Sequence, residues 1–188
     1  LAKAKVMRAD DREALVRAYR DAADQIGAGN VVVQELIPGG GESQFSYAAL
    51  WHAGAPVAEF TARRSRQYPV DFGYTSTFVE TVDEPAAAAH ARAVLGSVGF
   101  SGLVEVEVKR DHRNGAVKIL DVNPRPWSWF ALCEAAGVDL GSLLWQVANG
   151  EPVASVAARP GVAWMYLARD VVGAATLMIR GQLGLGGY

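Results

Sequence analysis

The sequence predicts an α+β fold, a mostly antiparallel sheet packed on helices, and three observations carry that reading. Between residues 101 and 127 two strand-like runs flank Asn114-Gly115, a dipeptide that tolerates the positive φ angles of a tight hairpin. Phe45 to Trp51 and Val57 to Arg63 flank His52-Ala53-Gly54-Ala55 and read as a second antiparallel pair. Helical stretches with recognisable caps lie before, between and after these pairs, which gives a two-layer lobe.

Taken in order, Asp10 with Glu13 three residues later forms a capping box for a helix to about Gln25, ended by Gly27 and Gly29. Val31-Val32-Val33-Gln34-Glu35-Leu36-Ile37 is apolar and β-branched, so it predicts a buried strand that opens into a loop at Pro38 to Gly41. After the first hairpin, Asp71 to Thr77 reads as a loop whose Thr75 and Ser76 hydroxyls face a substrate. Asp83 caps a second helix, with Pro85 in its first turn and an alanine-rich run to Ser97. Val104, Val106 and Val108 alternate with Glu105, Glu107 and Lys109, the period of a strand with one apolar and one polar face. A return strand from Ala116 to Val122 places Asp121 near Glu107. Short helices follow at Trp127 to Ala136 and Leu140 to Ala148, closed by Gly137 and Gly150. A strand from Val162 to Leu167, a helix from about Asp170 to Arg180 and a glycine-rich tail complete the chain.

Chemistry concentrates at the end of the second hairpin. Alternating Glu and Val alone fits any half-solvated hairpin. Asp121-Val122-Asn123-Pro124-Arg125 does not, because an acid, an amide, a proline and an arginine are poor strand material unless something binds there. Two carboxylates and an amide oxygen are hard donors of the kind Mg²⁺ prefers, and Mg²⁺ completes its octahedron with phosphates and water. Upstream, Arg63-Arg64-Ser65-Arg66 concentrates three arginines in a chain of net charge −2. Guanidinium forks match phosphate and carboxylate oxygens, although a strand end ringed by solvent explains such a cluster as well. Trp127 and Trp129 either wall an acceptor pocket or fill the core.

At these residues the chain resembles the ATP-grasp family, in its carboxylate-amine ligase branch. The resemblance rests on a strand carrying Glu107 and a second strand ending in acid-hydrophobic-Asn-Pro-Arg, where Asp121 stands in place of the usual Glu. It implies two magnesium ions held by Glu107, Asp121 and Asn123, with Mn²⁺ able to substitute, and ATP as the bound nucleotide. It further implies that Gln34, Glu35, Leu36 and Ile37 form the adenine hinge and that Glu42 contacts the ribose. Arg63, Arg66 and Arg125 become the catalytic cations that grip phosphate and stabilise an acyl phosphate. The implied activity joins a small-molecule carboxylate to an amine; a phosphotransferase or carboxylase with another acceptor, and a non-catalytic nucleotide-binding module, are the alternatives.

The resemblance also divides the chain. Residues 1–37 correspond to a remnant of the first lobe and the hinge, 38–150 to the carboxyl lobe with the metal site, and 151–188 to a strand-helix extension. A phosphate-gripping lysine is expected upstream of Leu1, in a missing N-terminal region of the same protein, with Lys3 or Lys5 as a weaker basic element. At 188 residues and 51% hydrophobic composition the chain buries a proper core, yet it is short for a whole enzyme of this kind. One cysteine, Cys133, excludes an internal disulfide or a cysteine-rich zinc site and fits a reducing cytoplasm. Arg169 and Asp170 interrupt the apolar stretch from Gly161 to Ile179, which argues against a membrane span. The exposed half of the last helix is left for docking on another domain or on a second copy in a homodimer. A small basic cluster in a mildly acidic chain disfavours nucleic acid.

Overall fold

A computed structural model describes residues 6–71, 73, 75–154 and 156–188. Lys3, Lys5, Phe72 and Tyr74, on which parts of the sequence reading fall, lie outside the described residues. The chain forms two compact units, one ending at Ile37 and one spanning Pro38–Tyr188.

In the first unit, helix α1 (Arg12–Ile26) starts at Asp11, whose carboxylate accepts the Ala14 amide at 2.7 Å. The expected cap, Asp10, instead accepts from Arg8 Nε at 2.7 Å. Gly27 ends the helix with φ +85°, a conformation that side chains with a Cβ resist. The run from Val31 to Ile37 is irregular rather than a strand, and Val32 and Val33 are exposed. A strand needs a neighbour for its backbone groups, and every described strand of the chain belongs to the second unit.

The second unit is built on six strands: β1 (Gln44–His52), β2 (Ala55–Tyr68), β3 (Thr75–Val82), β4 (Gly102–Arg110), β5 (Val117–Asn123) and β6 (Ala163–Met165). They form one sheet in the order β5-β4-β1-β2-β3-β6, antiparallel throughout. Helices cover both faces. Period-two alternation turns Tyr47, Ala49, Trp51, Val104, Val106 and Val108 onto Ala87, Ala91 and Leu95 of α2 (Pro85–Ser97). The opposite face packs Ala48, Leu50, Phe60, Ala62 and Val79 against Trp129, Leu132, Cys133 and Leu140, from the stretch holding α3 (Ala131–Ala135) and α4 (Leu140–Ala148). Each large aliphatic side chain buried this way contributes about 1.5–3 kcal/mol relative to exposure. Both tryptophans are core residues, Trp129 1% and Trp127 6% exposed.

Several elements differ from expectation. Thr75 to Thr77 belong to β3, not to a loop: Ser76 and Thr77 are buried, and Thr75 Oγ1 accepts from Arg169 Nη1 at 2.9 Å. The N-cap of α2 is Glu84, not Asp83, and its carboxylate pairs with Arg110 at 2.7 Å. The loop between β4 and β5 is longer than a two-residue turn. Asp111, fully buried, anchors it through backbone bonds to Ala116 and Gly115, both 2.7 Å, while its carboxylate takes Arg113 and Lys118. Hydrogen bonds from Arg113 hold that carboxyl well below the usual carboxylate range. The last helix, α5 (Leu167–Ile179), starts earlier than expected and leaves Leu167, Val171, Val172 and Ile179 exposed. Among the described residues no helix is long and apolar enough to cross a membrane.

Candidate functional site

Antiparallel pairing of β4 with β5 sets Glu107 opposite Asp121 and Glu105 opposite Asn123. Directly opposed residues share a face, so the second hairpin brings four polar side chains to one patch. That patch lies on the face away from Val104, Val106 and Val108, beside the helices that follow the hairpin. Glu107 Oε1 faces Asn123 Nδ2 at 3.4 Å, and Asn123 Oδ1 accepts from Arg125 Nη2 at 3.1 Å. Asp121 is exposed, and its Oδ1 accepts the Val122 amide at 2.9 Å. Glu107, Asp121, Asn123 and Arg125 are therefore neighbours.

Two further residues join them. Glu105, 4% exposed, accepts from Ser46 Oγ at 2.9 Å and from Trp129 Nε1 at 3.2 Å. Burial first, and the adjacent Glu107 charge second, push its carboxyl up to about 7. Arg64, 8% exposed, places Nη1 at 3.2 Å from Glu107 Oε2 and donates Nη2 to Gln67 Oε1 at 3.1 Å. Sequence reasoning missed Arg64. A parity count would have found it, since Arg64 is in phase with Phe60 and Ala62, which face the same side as Glu107.

Of the arginines named from the sequence, Arg125 belongs to this patch, while Arg63 and Arg66 are engaged elsewhere. Arg63 donates to Glu80, with Nε at 3.0 Å. Arg66 forms a two-pronged pair with Asp170, at 2.9 and 2.8 Å, above the Phe78 ring at 4.2 Å. The physical reason is a register shift between Arg64 and Arg66: Arg64 pairs with Val79 but Arg66 with Phe78. Successive residues of β3 point to opposite faces, so the two arginines do as well. Glu42 accepts the Gly40 amide at 2.8 Å and lies 3.7 Å from His112 Nε2, so it is not one of this cluster. Gln34, Glu35, Leu36 and Ile37 fall in the first unit, in its irregular segment. Cys133 is buried in the core, which pushes its thiol up to about 12, and His90 is exposed with Nδ1 against its own helix carbonyl at Ala86.

No family model and no curated protein matches the sequence. Solved structures do. Pyruvate carboxylase from Rhizobium etli matches with TM-score 0.58 and 19% identity, over 80% of this chain and 14% of its own. The biotin carboxylase domain of 2-oxoglutarate carboxylase from Hydrogenobacter thermophilus, crystallised as a dimer with MgADP and bicarbonate, matches with TM-score 0.56 and 18% identity, over 75% and 32%. L-amino acid ligase from Bacillus licheniformis matches with TM-score 0.54 and 21% identity, over 76% and 36%. All three are ATP-grasp enzymes. The chain has the ATP-grasp fold. It spans about a third or less of the length of these ATP-grasp neighbours.

The ATP-grasp fold implies Mg²⁺ and a nucleotide, and the donor chemistry of the patch fits the ion. Among the described residues no three His, Cys, Asp or Glu side chains cluster tightly enough to hold a metal alone. Two carboxylates and one amide oxygen, completed by phosphate and water, are instead the sparse oxygen set that suits Mg²⁺. Arg125 beside Asn123 supplies a planar donor fork at the rim of that set.

Proposed function

We propose that the chain is the carboxyl lobe of an ATP-dependent ligase that joins a carboxylate to an amine, with release of ADP and phosphate. The single observation that carries this reading is the pairing of Glu107 with Asp121, with Asn123 and Arg125 at the strand exit, on an ATP-grasp fold. Glu107, Asp121 and Asn123 would hold Mg²⁺, which when bound neutralises charge on the β and γ phosphates. Arg125 orients the phosphoryl group and stabilises negative charge on the reacting oxygens. A carboxylate oxygen of the acid attacks the γ phosphorus and ADP leaves; the amine then attacks the acyl carbon and phosphate leaves. Arg64, a buried cation on the same face, adds positive potential behind Glu107. The hinge assignment of Gln34 to Ile37 and the ribose contact of Glu42 belong to this proposal as nucleotide-binding residues.

The test is Asp121→Asn in the complete protein, read as carboxylate-dependent ADP release. Loss of ADP release with the melting curve intact supports the assignment; turnover with unchanged magnesium dependence overturns it. A second reading is supported by the match to two carboxylases: the same site activating bicarbonate rather than an organic acid. Product analysis with labelled bicarbonate against an amine acceptor separates the two.

A further inference from the structure

We infer that Arg64 is an internal counter-cation of the metal site: it holds Glu107 while no divalent ion is bound and is handed to the anionic ligand that arrives with the ion. The site then takes a divalent cation together with a phosphate-bearing ligand and discriminates against the free ion. This rests on the reading of Glu107, Asp121 and Asn123 as the ligand set.

Arg64 is 8% exposed, and a guanidinium so placed needs a compensating charge. The strand offers an internal comparison. Arg66, on the other face, closes its fork on both oxygens of Asp170, at 2.9 and 2.8 Å. Arg64 divides its fork instead, one nitrogen 3.2 Å from a single oxygen of Glu107 and the other donating to the neutral amide of Gln67 at 3.1 Å. A split fork gives up the geometry that makes arginine-carboxylate pairs strong, so Arg64 is the exchangeable one. Gln67 is itself anchored, donating Nε2 to the Val70 carbonyl at 2.9 Å, and so serves as a pivot that keeps the guanidinium in reach after it leaves Glu107.

The charge balance points the same way. Glu105 and Glu107 are two residues apart on one face, and Arg64 stands 3.2 Å from Glu107. An incoming dication at Glu107 meets the guanidinium at close range and is repelled. Phosphate oxygens entering with the ion remove that repulsion, because they accept the guanidinium fork directly.

The experiment measures Mn²⁺ binding to the complete protein by calorimetry and electron paramagnetic resonance, alone and with ADP, in wild type, Arg64→Gln and Arg64→Lys. Arg64→Gln is expected to bind free Mn²⁺ on the order of tenfold tighter and ADP in the presence of Mn²⁺ on the order of tenfold weaker. Arg64→Lys keeps the charge and is expected to bind free Mn²⁺ as weakly as wild type. Opposite signs cannot arise from a general loosening of the site, which would weaken both. Arg64→Gln that weakens both, or leaves free-ion affinity unchanged, overturns the inference. A wild-type measurement stands beside the variants in case Arg64→Gln does not fold: saturating inorganic phosphate must raise Mn²⁺ affinity severalfold, and no coupling overturns the inference. Wild type that binds neither Mn²⁺ nor Mn²⁺ with ADP overturns the ligand set itself, an outcome distinct from failure of Arg64's role.

Discussion

Asp170→Ala isolates the interaction that fastens α5 to the sheet. Asp170 has no exposed side-chain surface, Arg66 keeps 8%, and two hydrogen bonds of 2.9 and 2.8 Å join them. Removing one partner of a buried pair leaves an uncompensated charge and costs about 3–5 kcal/mol. The Phe78 ring at 4.2 Å from the guanidinium remains, but a ring quadrupole does not neutralise a full charge. For a chain of this size each kcal/mol corresponds to about 2–4 °C, so the melting temperature should fall by about 6–20 °C. Thermal unfolding followed by circular dichroism at neutral pH measures it. Asp71→Ala is the control, because its pair with Arg180 at 2.9 Å is exposed and screened. The double variant Asp170→Ala, Arg66→Met should recover much of the loss, since apolar replacement of both partners removes the stranded charge. If Asp170→Ala shifts the melt no more than Asp71→Ala does, a stabilising role for this buried pair is refuted.

Glu105 makes stability depend on pH. Its carboxyl is raised from 4.5 to about 7, so the folded state binds this proton more tightly than the unfolded chain does. Stability conferred by the protonated form is complete at low pH and lost as pH rises through that window, on the order of 3 kcal/mol in total. Glu105→Gln should abolish that loss, read as urea midpoints at pH 5 and pH 8 in the presence of a chelator; an unchanged difference between the two midpoints rejects the assignment. Trp129→Ala should cost about 3–5 kcal/mol by opening a cavity in the helix-side core, and it also removes the 3.2 Å donor to Glu105; a loss under about 1 kcal/mol would show that the core closes around the gap. Gly41→Ala places a Cβ 2.6 Å from the Ser65 carbonyl oxygen and 2.8 Å from that of Arg64. Both are backbone atoms that cannot swing aside, so a destabilisation of about 1–3 kcal/mol is expected in chemical denaturation, and a neutral result would mean the loop moves freely.

The two hairpins were legible because their signals are local. Val104, Val106 and Val108 alternate with charged residues and Asn114-Gly115 marks a reversal, which brings Asp121 to the neighbourhood of Glu107, although a two-residue turn there would set Asp121 opposite Val108. The longer loop, closed from inside by Asp111, and the irregularity between Glu107 and Val108 shift the register so that Asp121 stands opposite Glu107 itself. β3 was hidden because Ser76, Thr77 and Thr81 are polar residues that the fold buries. Val31 to Val33 misled in the opposite sense: they have strand chemistry, but a strand also needs a partner, which no local pattern supplies. Helix starts were misread by one residue, at Asp11 and Glu84, because several acids stand side by side and only geometry selects the cap. Arginine roles were the least legible. They depend on the β2-β3 register and on Asp170, 104 positions from Arg66.

The shift between Arg64 and Arg66 bears on how this strand is compared with others. Ser65 is an extra residue with no counterpart opposite it in the β2-β3 register, so a version of the strand lacking it would keep Arg64 and Arg66 on their present, opposite sides. An ungapped alignment to such a strand moves every position beyond Ser65 by one, interchanging inward and outward residues. A one-residue gap at Ser65 restores the correspondence, and only then does a basic residue aligned with Arg64 report on the carboxylate patch, while one aligned with Arg66 reports on the docking of α5.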